Sequence, residues 1–292
     1  MTTPMEVEED EQHLPVPEWN SDDEPGVKWT QVPPTSSLHN LTDSWTLLPP
    51  SAYFPVRQSS YSTLKKKSPS LRPAYTPVMG KMVRHSRKMI HLTSKLNCLK
   101  SYISSHPTRR FFITNRILPS TSGYVCVVFV YCRTLRQNMS PEFDRLDDML
   151  HLSTDSWRNE RIKYLATLPT APFIVKSAVK ALGGEKPVIM GKGYLTQRHY
   201  TGSNYVEVDV DISSSKVARS IAGTILKRSD VTVIDEGFVI EGVEEVELPE
   251  RLIGAVRFIH SKVERLASEM GEGDITIEDD DSVISTEDEE EA

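Results

Sequence analysis

Between Tyr205 and Asp211 apolar and polar positions alternate without a break. Val206, Val208, Val210 and then Ile212 point to one side, and Glu207, Asp209 and Asp211 to the other. This two-residue period predicts a strand with one face for burial and one face of three carboxylates. Ser213, Ser214 and Ser215 follow at once, and any of them can cap a helix running from about Lys216.

The same reading places the other elements. Arg110 to Leu118 and Tyr124 to Thr134 are rich in β-branched and aromatic residues and flank Pro119-Ser120-Thr121-Ser122-Gly123, which predicts an antiparallel hairpin. The second arm is apolar on both faces, as a central strand is. Ser140-Pro141-Glu142 has the form of an N-cap, a first-position proline and a first-turn acid, so a helix carrying Phe143, Leu146 and Leu150 starts there. Pro172 opens another helix, ended by Gly183-Gly184. Strands are expected at Pro187 to Tyr194, Tyr205 to Asp211 and Val231 to Glu241. Helical spacing of Leu252, Val256, Ile259, Val263 and Leu266 predicts a C-terminal helix over Leu248 to Ala267. Strands clustered with helices between them imply an α+β domain with a mainly antiparallel sheet.

Composition changes at the ends of the chain. Residues 1–25 hold nine acids and residues 271–292 eleven, with no Lys or Arg in either stretch. Both are expected to be disordered, since they have too little apolar surface to offset ordering. The expected organisation is a tail and linker over 1–43, one domain over 44–268 and a second acidic tail over 269–292. Without the two acidic stretches, thirty-four bases face twenty-one acids, so the body is near +13 although the whole chain is −7. Residues 44–141 carry sixteen Lys or Arg and not one acid. Such a surface suits anionic lipid better than nucleic acid, and the acidic tails can screen it or serve as ligands for a protein partner. Arg57 and the run Lys65-Lys66-Lys67 are candidate lipid-contacting bases within it. The alternative is a dispersed, solvated basic surface.

No apolar leader or membrane-length apolar run is present, which points to a cytoplasmic protein that can lie on a membrane surface. Cys98, Cys126 and Cys132 are three, without a C-x-x-C pair, as reduced structural thiols would be. No catalytic set, cofactor loop or metal-ligand spacing emerges, so neither cofactor nor metal is expected. Glu207, Asp209 and Asp211 stand about 7 Å apart along their strand, which permits cation ligation or acid–base work. A solvated face, or pairing with bases on the next strand, is the reading preferred for them. At the helix start, Ser213, Ser214, Ser215, Lys216 and Arg219 form a candidate anion site; otherwise the serines only cap and Arg219 pairs with Asp209 or Asp211. Met89, Leu92, Leu96, Leu99 and Ile103 make a helical stripe among bases over Ser86 to Ser104, either a membrane-surface helix or one packed on the sheet.

The stretch Asn204-Tyr205-Val206-Glu207-Val208-Asp209-Val210-Asp211-Ile212, with Ser213 to Ser220 after it, resembles the C-terminal domain of the plant protein enhanced disease resistance 2. The resemblance extends through Phe54-Pro55-Val56-Arg57, Lys65 to Ser70, Arg158 to Arg161, Lys186 to Lys192, Glu236 to Glu241 and Glu247 to Arg257. It covers roughly residues 45 to 262 and fades between Tyr75 and Arg110. In that family the domain accompanies lipid-related modules, a pleckstrin-homology domain and a lipid-transfer domain, and neither is expected in this sequence. The resemblance implies a lipid-associated, non-enzymatic regulatory module. A protein-interaction scaffold and an unrecognised hydrolase are the other readings.

Overall fold

The computed structural model describes residues 29–134, 139–181, 186–189, 191, 195–270 and 283–284. The acidic stretches at either end fall outside the described residues, apart from the last pair.

Two six-stranded sheets face each other. The first runs β1 (Thr30–Gln31), β2 (Ser44–Leu47), β14 (Leu252–Ile259), β13 (Val233–Ile240), β9 (Ile162–Thr170) and β10 (Val188–Ile189). The second runs β11 (Thr196–Thr201), β12 (Tyr205–Asp211), β7 (Arg109–Ser120), β8 (Gly123–Thr134), β5 (Thr76–His85) and β15 (Ser268–Glu269). Two small ladders join β3 (Pro55–Arg57) to β4 (Lys67–Pro69) and β6 (Lys88–Met89) to β16 (Val283–Ile284). Pairing is mostly antiparallel, with parallel exceptions at β1–β2, β12–β7 and β15–β5. The helices are α1 (Tyr61–Leu64), α2 (Leu92–Lys95), α3 (Asn97–Ser104), α4 (Pro141–Leu152), α5 (Asp155–Arg161), α6 (Phe173–Ala181), α7 (Lys216–Leu226) and α8 (Val263–Leu266).

The β7–β8 hairpin is where the sequence places it. Gly123 stands at φ +123°, and a Cβ there would lie 2.5 Å from the His85 carbonyl, so the turn needs a glycine. Val206, Val208 and Val210 of β12 enter the space between the sheets, joined by Phe112, Phe129 and Tyr131. Trp45, Phe238, Ile253, Val256 and Phe258 meet them from the other sheet, and Phe143, Leu146 and Leu150 of α4 also pack into this core. Ser140 caps α4 through the Phe143 amide, as its sequence predicts.

The predicted C-terminal helix is a correction. Residues 252–259 form β14, a central strand between β2 and β13, and only the four-residue α8 is helical. Both faces of β14 are covered, so its run is apolar almost throughout, and a helical subset can be picked from any such run. The stripe over Ser86 to Ser104 is likewise broken into β6, α2 and α3. Its apolar residues Met89, Leu92, Leu96, Leu99 and Ile103 are all buried against Ile113, Ile117, Val128 and Val130 on the outer face of the second sheet. The stripe therefore covers the sheet, each large side chain contributing about 1.5–3 kcal/mol of burial. The strand expected over Pro187 to Tyr194 is limited to Val188–Ile189, with 190 and 192–194 outside the described residues.

Candidate functional site

The acidic side of β12 is buried, which corrects the expectation of a solvated face. Glu207, Asp209 and Asp211 are 0%, 1% and 3% exposed. Glu207 accepts the Leu92 and Thr93 amides through its two oxygens, at 2.7 and 2.9 Å. Asp209 accepts the His91 amide at 2.8 Å and the Asn115 side chain at 3.0 Å. Burial, and then the neighbouring charge of Glu207, raises the Asp209 carboxyl well above its ordinary 3.8. Asn204 donates to the carbonyls of His106 and Arg109 at 3.2 Å, and the Tyr205 hydroxyl meets His91 Nε2 at 3.2 Å. The alternating motif thus fastens residues 88–109 to the sheet. The bases of the adjacent strand do not supply its pairing; backbone amides from a distant segment do.

The helix start is wired locally. Asp211 Oδ1 accepts both the Ser213 amide and the Ser213 hydroxyl, at 2.9 and 2.6 Å, while Oδ2 lies 3.3 Å from Lys88 Nζ. Ser214 donates to the Asp211 carbonyl and accepts the Thr196 amide. Ser215 is the N-cap of α7, accepting the Ala218 amide at 3.3 Å. Arg219 clamps the Ser213 carbonyl through Nη2 and Nε, at 2.7 and 3.2 Å. The expected Arg219 pairing with Asp209 or Asp211 is not what the helix geometry gives. Asp211 folds back onto its own turn, leaving the carbonyl of that turn as the acceptor within reach. Lys216 remains exposed beside the cap.

The other candidate bases divide. The Arg57 guanidinium is matched by Glu241 at 2.5 Å and the Gly242 carbonyl at 2.9 Å, and the Arg57 amide donates to Glu250. Lys163 joins Glu250 at 2.5 Å and Arg161 joins Glu247 at 2.8 Å. Four separated blocks of the family resemblance meet in this ionic lattice. Lys65, Lys66 and Lys67 are exposed. Lys65 lines a surface cleft of about 460 Å³ together with Arg57, Tyr61, Val243 and Leu248. Among the described residues no group of three His, Cys, Asp or Glu is placed to hold a metal ion.

One feature escaped the sequence reading. α6 packs against α7, and this two-helix surface exposes Phe173 at 86%, Ile174 at 58% and Val217 at 58%. Lys176, Lys180 and Lys216 are exposed on the same helices, and neither helix contains an acid. The available signal was Phe173-Ile174-Val175, three consecutive apolar residues at a helix start, of which one helix face buries only Val175.

The family model described as Protein ENHANCED DISEASE RESISTANCE 2, C-terminal, matches residues 45–261. An Arabidopsis thaliana protein named Protein ENHANCED DISEASE RESISTANCE 2-like is 28% identical over 207 residues, covering 71% of this chain. The aligned region is 27% of the relative, so the chain spans about a quarter of that protein. No solved structure matches.

Proposed function

The chain belongs to the family of the C-terminal domain of Protein ENHANCED DISEASE RESISTANCE 2, and from that premise we propose a non-enzymatic regulatory module that binds an anionic membrane surface. The supporting observation is the α6–α7 surface, where Phe173, Ile174 and Val217 stand exposed among Lys176, Lys180 and Lys216 without an acid in either helix. Burying an exposed aromatic in the bilayer interface contributes about 1.5–3 kcal/mol, and each base near anionic headgroups about 1 kcal/mol. Lys65, Lys66 and Lys67 offer a second basic contact. No described helix is long and apolar enough to cross a membrane, so the mode proposed is attachment to the surface. In a cytoplasmic setting the bases would meet the anionic inner leaflet.

Co-sedimentation of the full chain with phosphatidylcholine vesicles, with and without phosphatidylserine, tests this. Binding is expected only with phosphatidylserine, weaker at high salt and lost in Phe173→Ser/Ile174→Ser. Lys65→Glu/Lys66→Glu/Lys67→Glu is expected to weaken it further at low salt. No sedimentation of the wild-type chain with either vesicle would refute the reading and leave a protein partner of the acidic tails as the function to pursue.

A further inference from the structure

One surface cleft holds charges of both signs that do not meet. It lies between α1, with Lys65 as its C-cap, and residues 242–248; its volume is about 460 Å³ and Arg57, Tyr61, Lys65, Val243, Glu245 and Leu248 line it. The Ser62 hydroxyl donates to Glu245 Oε1 and joins the two walls. The Arg57 guanidinium lies 4.9 Å from the centroid of the Tyr61 ring and Lys65 Nζ 5.5 Å from it. Arg57 is matched by Glu241 at 2.5 Å and is a fixed part of the wall. Lys65 is not matched: among the described residues no acid stands at ion-pair distance from its ammonium, and no base at that distance from Glu245. The cleft is separate from the α6–α7 surface. Arg57 and Lys163 share Glu250 at one end of β9, and α6 begins just past the other end, about 20 Å along the strand.

We propose that this cleft binds an amine-bearing phosphate ester, of the size of phosphoethanolamine or of a phosphoserine headgroup. The two unmatched charges select the class. Lys65 and the Tyr61 hydroxyl donate to the phosphate, and Glu245 accepts from the ammonium. A plain anion would satisfy Lys65 but stand against Glu245, and a plain amine would satisfy Glu245 but stand against Lys65. A molecule carrying both signs does neither. Lys66 and Lys67 follow Lys65 in the chain, both exposed, and their field favours a phosphate over the single carboxylate of a free amino acid. Val243, 64% exposed, and Leu248 offer apolar surface for the carbons between the two charged ends. The volume lies within the range of about 300–1,000 Å³ common to small-molecule sites. Membrane attachment through α6 and α7 is not required for this site.

The test is a ligand-observed NMR titration of the full chain with phosphoethanolamine and glycerophosphoserine, and with inorganic phosphate and ethanolamine as the separate halves. Both esters are expected to bind saturably, at least about ten-fold more tightly than either half. Lys65→Gln is expected to abolish ester binding. Glu245→Gln keeps an acceptor for Ser62 and is expected to lower ester affinity to that of inorganic phosphate. Both side chains are exposed, so neither change disturbs the fold. Inorganic phosphate bound as tightly as the esters would make this a plain anion surface, and ethanolamine bound as tightly a plain cation surface; either overturns the proposal. So does the absence of saturable binding, or ester binding that both variants leave unchanged. Displacement of glycerophosphoserine by phosphatidylserine vesicles would identify a lipid headgroup as the source of the ester, and its retention would identify a free ester. Vesicle binding by a chain that ignores both esters would sink this site and leave the membrane reading standing.

Discussion

The backbone amide of His91 donates to the side-chain carboxylate of Asp209 at 2.8 Å, across 118 positions of sequence. His91 holds a left-handed φ of 53°, and its ring stacks on Tyr200 at 4.1 Å. The neighbouring carboxylate, Glu207, takes the next two amides, so the turn opening α2 is docked by two acids of one strand. Replacing Glu207 with alanine strands two buried donors, each costing about 1–3 kcal/mol. Urea unfolding of Glu207→Ala is expected to show that loss, with residues 92–104 the first to be cleaved by protease. A loss below about 1 kcal/mol would mean that this docking does not hold the segment.

Asp209 makes stability depend on pH in a known direction. Its folded pKa lies above the unfolded value, so the contribution is complete below the ordinary 3.8 and is lost as pH rises through the folded value. Asp209→Asn keeps a neutral group of the same shape and is expected to remove this decline. Denaturation midpoints of the two proteins from pH 4 to 8 should diverge upward for the variant; parallel curves would show that Asp209 is not held protonated.

Two histidines act oppositely. Burial pushes His151 and His199 down to about 4, below the ordinary 6.5. Between those values the unfolded chain binds protons that the folded one does not, so acidification from 6.5 toward 4 destabilises the fold. The 3.8 Å approach of Asp155 to His199 is accordingly not an ion pair at neutral pH. His151→Gln and His199→Gln are each expected to shallow the loss of Tm below pH 6.5, and an unchanged acid limb would show that neither imidazole is neutral in the folded state.

Arg219 and Glu250 are expected to differ in severity. Arg219→Ala removes a clamp on one carbonyl beside a capped helix, a charged hydrogen bond of about 1.5–3 kcal/mol. Glu250→Ala leaves the Lys163 ammonium buried without its 2.5 Å partner and strips the Arg57 amide, a change of the kind that costs about 3–5 kcal/mol. Calorimetry should rank Glu250→Ala as the less stable protein, and the reverse order would mean that the ionic lattice is replaceable.

How much could be read in advance followed local signals. The β7–β8 hairpin, α4 and β12 carry alternation, turn residues or a cap within their own few residues, and each lies where its pattern puts it. β11 was passed over because Thr196 to Thr201 is a polar strand at a sheet edge. β14 was misread because both faces are buried and periodicity says nothing there. The carboxylates of β12 were visible as a row, but their burial depends on a cover brought from residues 88–104, which no local pattern encodes. Arg219 was expected to meet an anion or a carboxylate of the strand, yet it donates to the Ser213 carbonyl, a backbone acceptor invisible in a list of side chains. Lys65, Lys66 and Lys67 were legible as surface charge; Phe173 needed the structure to reveal which of three apolar neighbours is left outside.

Trp29 donates its indole proton to Ser261 at 2.9 Å, and the Asp43 amide reaches the His260 carbonyl at 3.1 Å. Trp29 packs beside Val263, Leu266 and Ala267, a few residues before Met270 bonds to Arg84. The first and last stretches of the main body are therefore bonded to one another at one corner, so the chain enters and leaves these two sheets at neighbouring points.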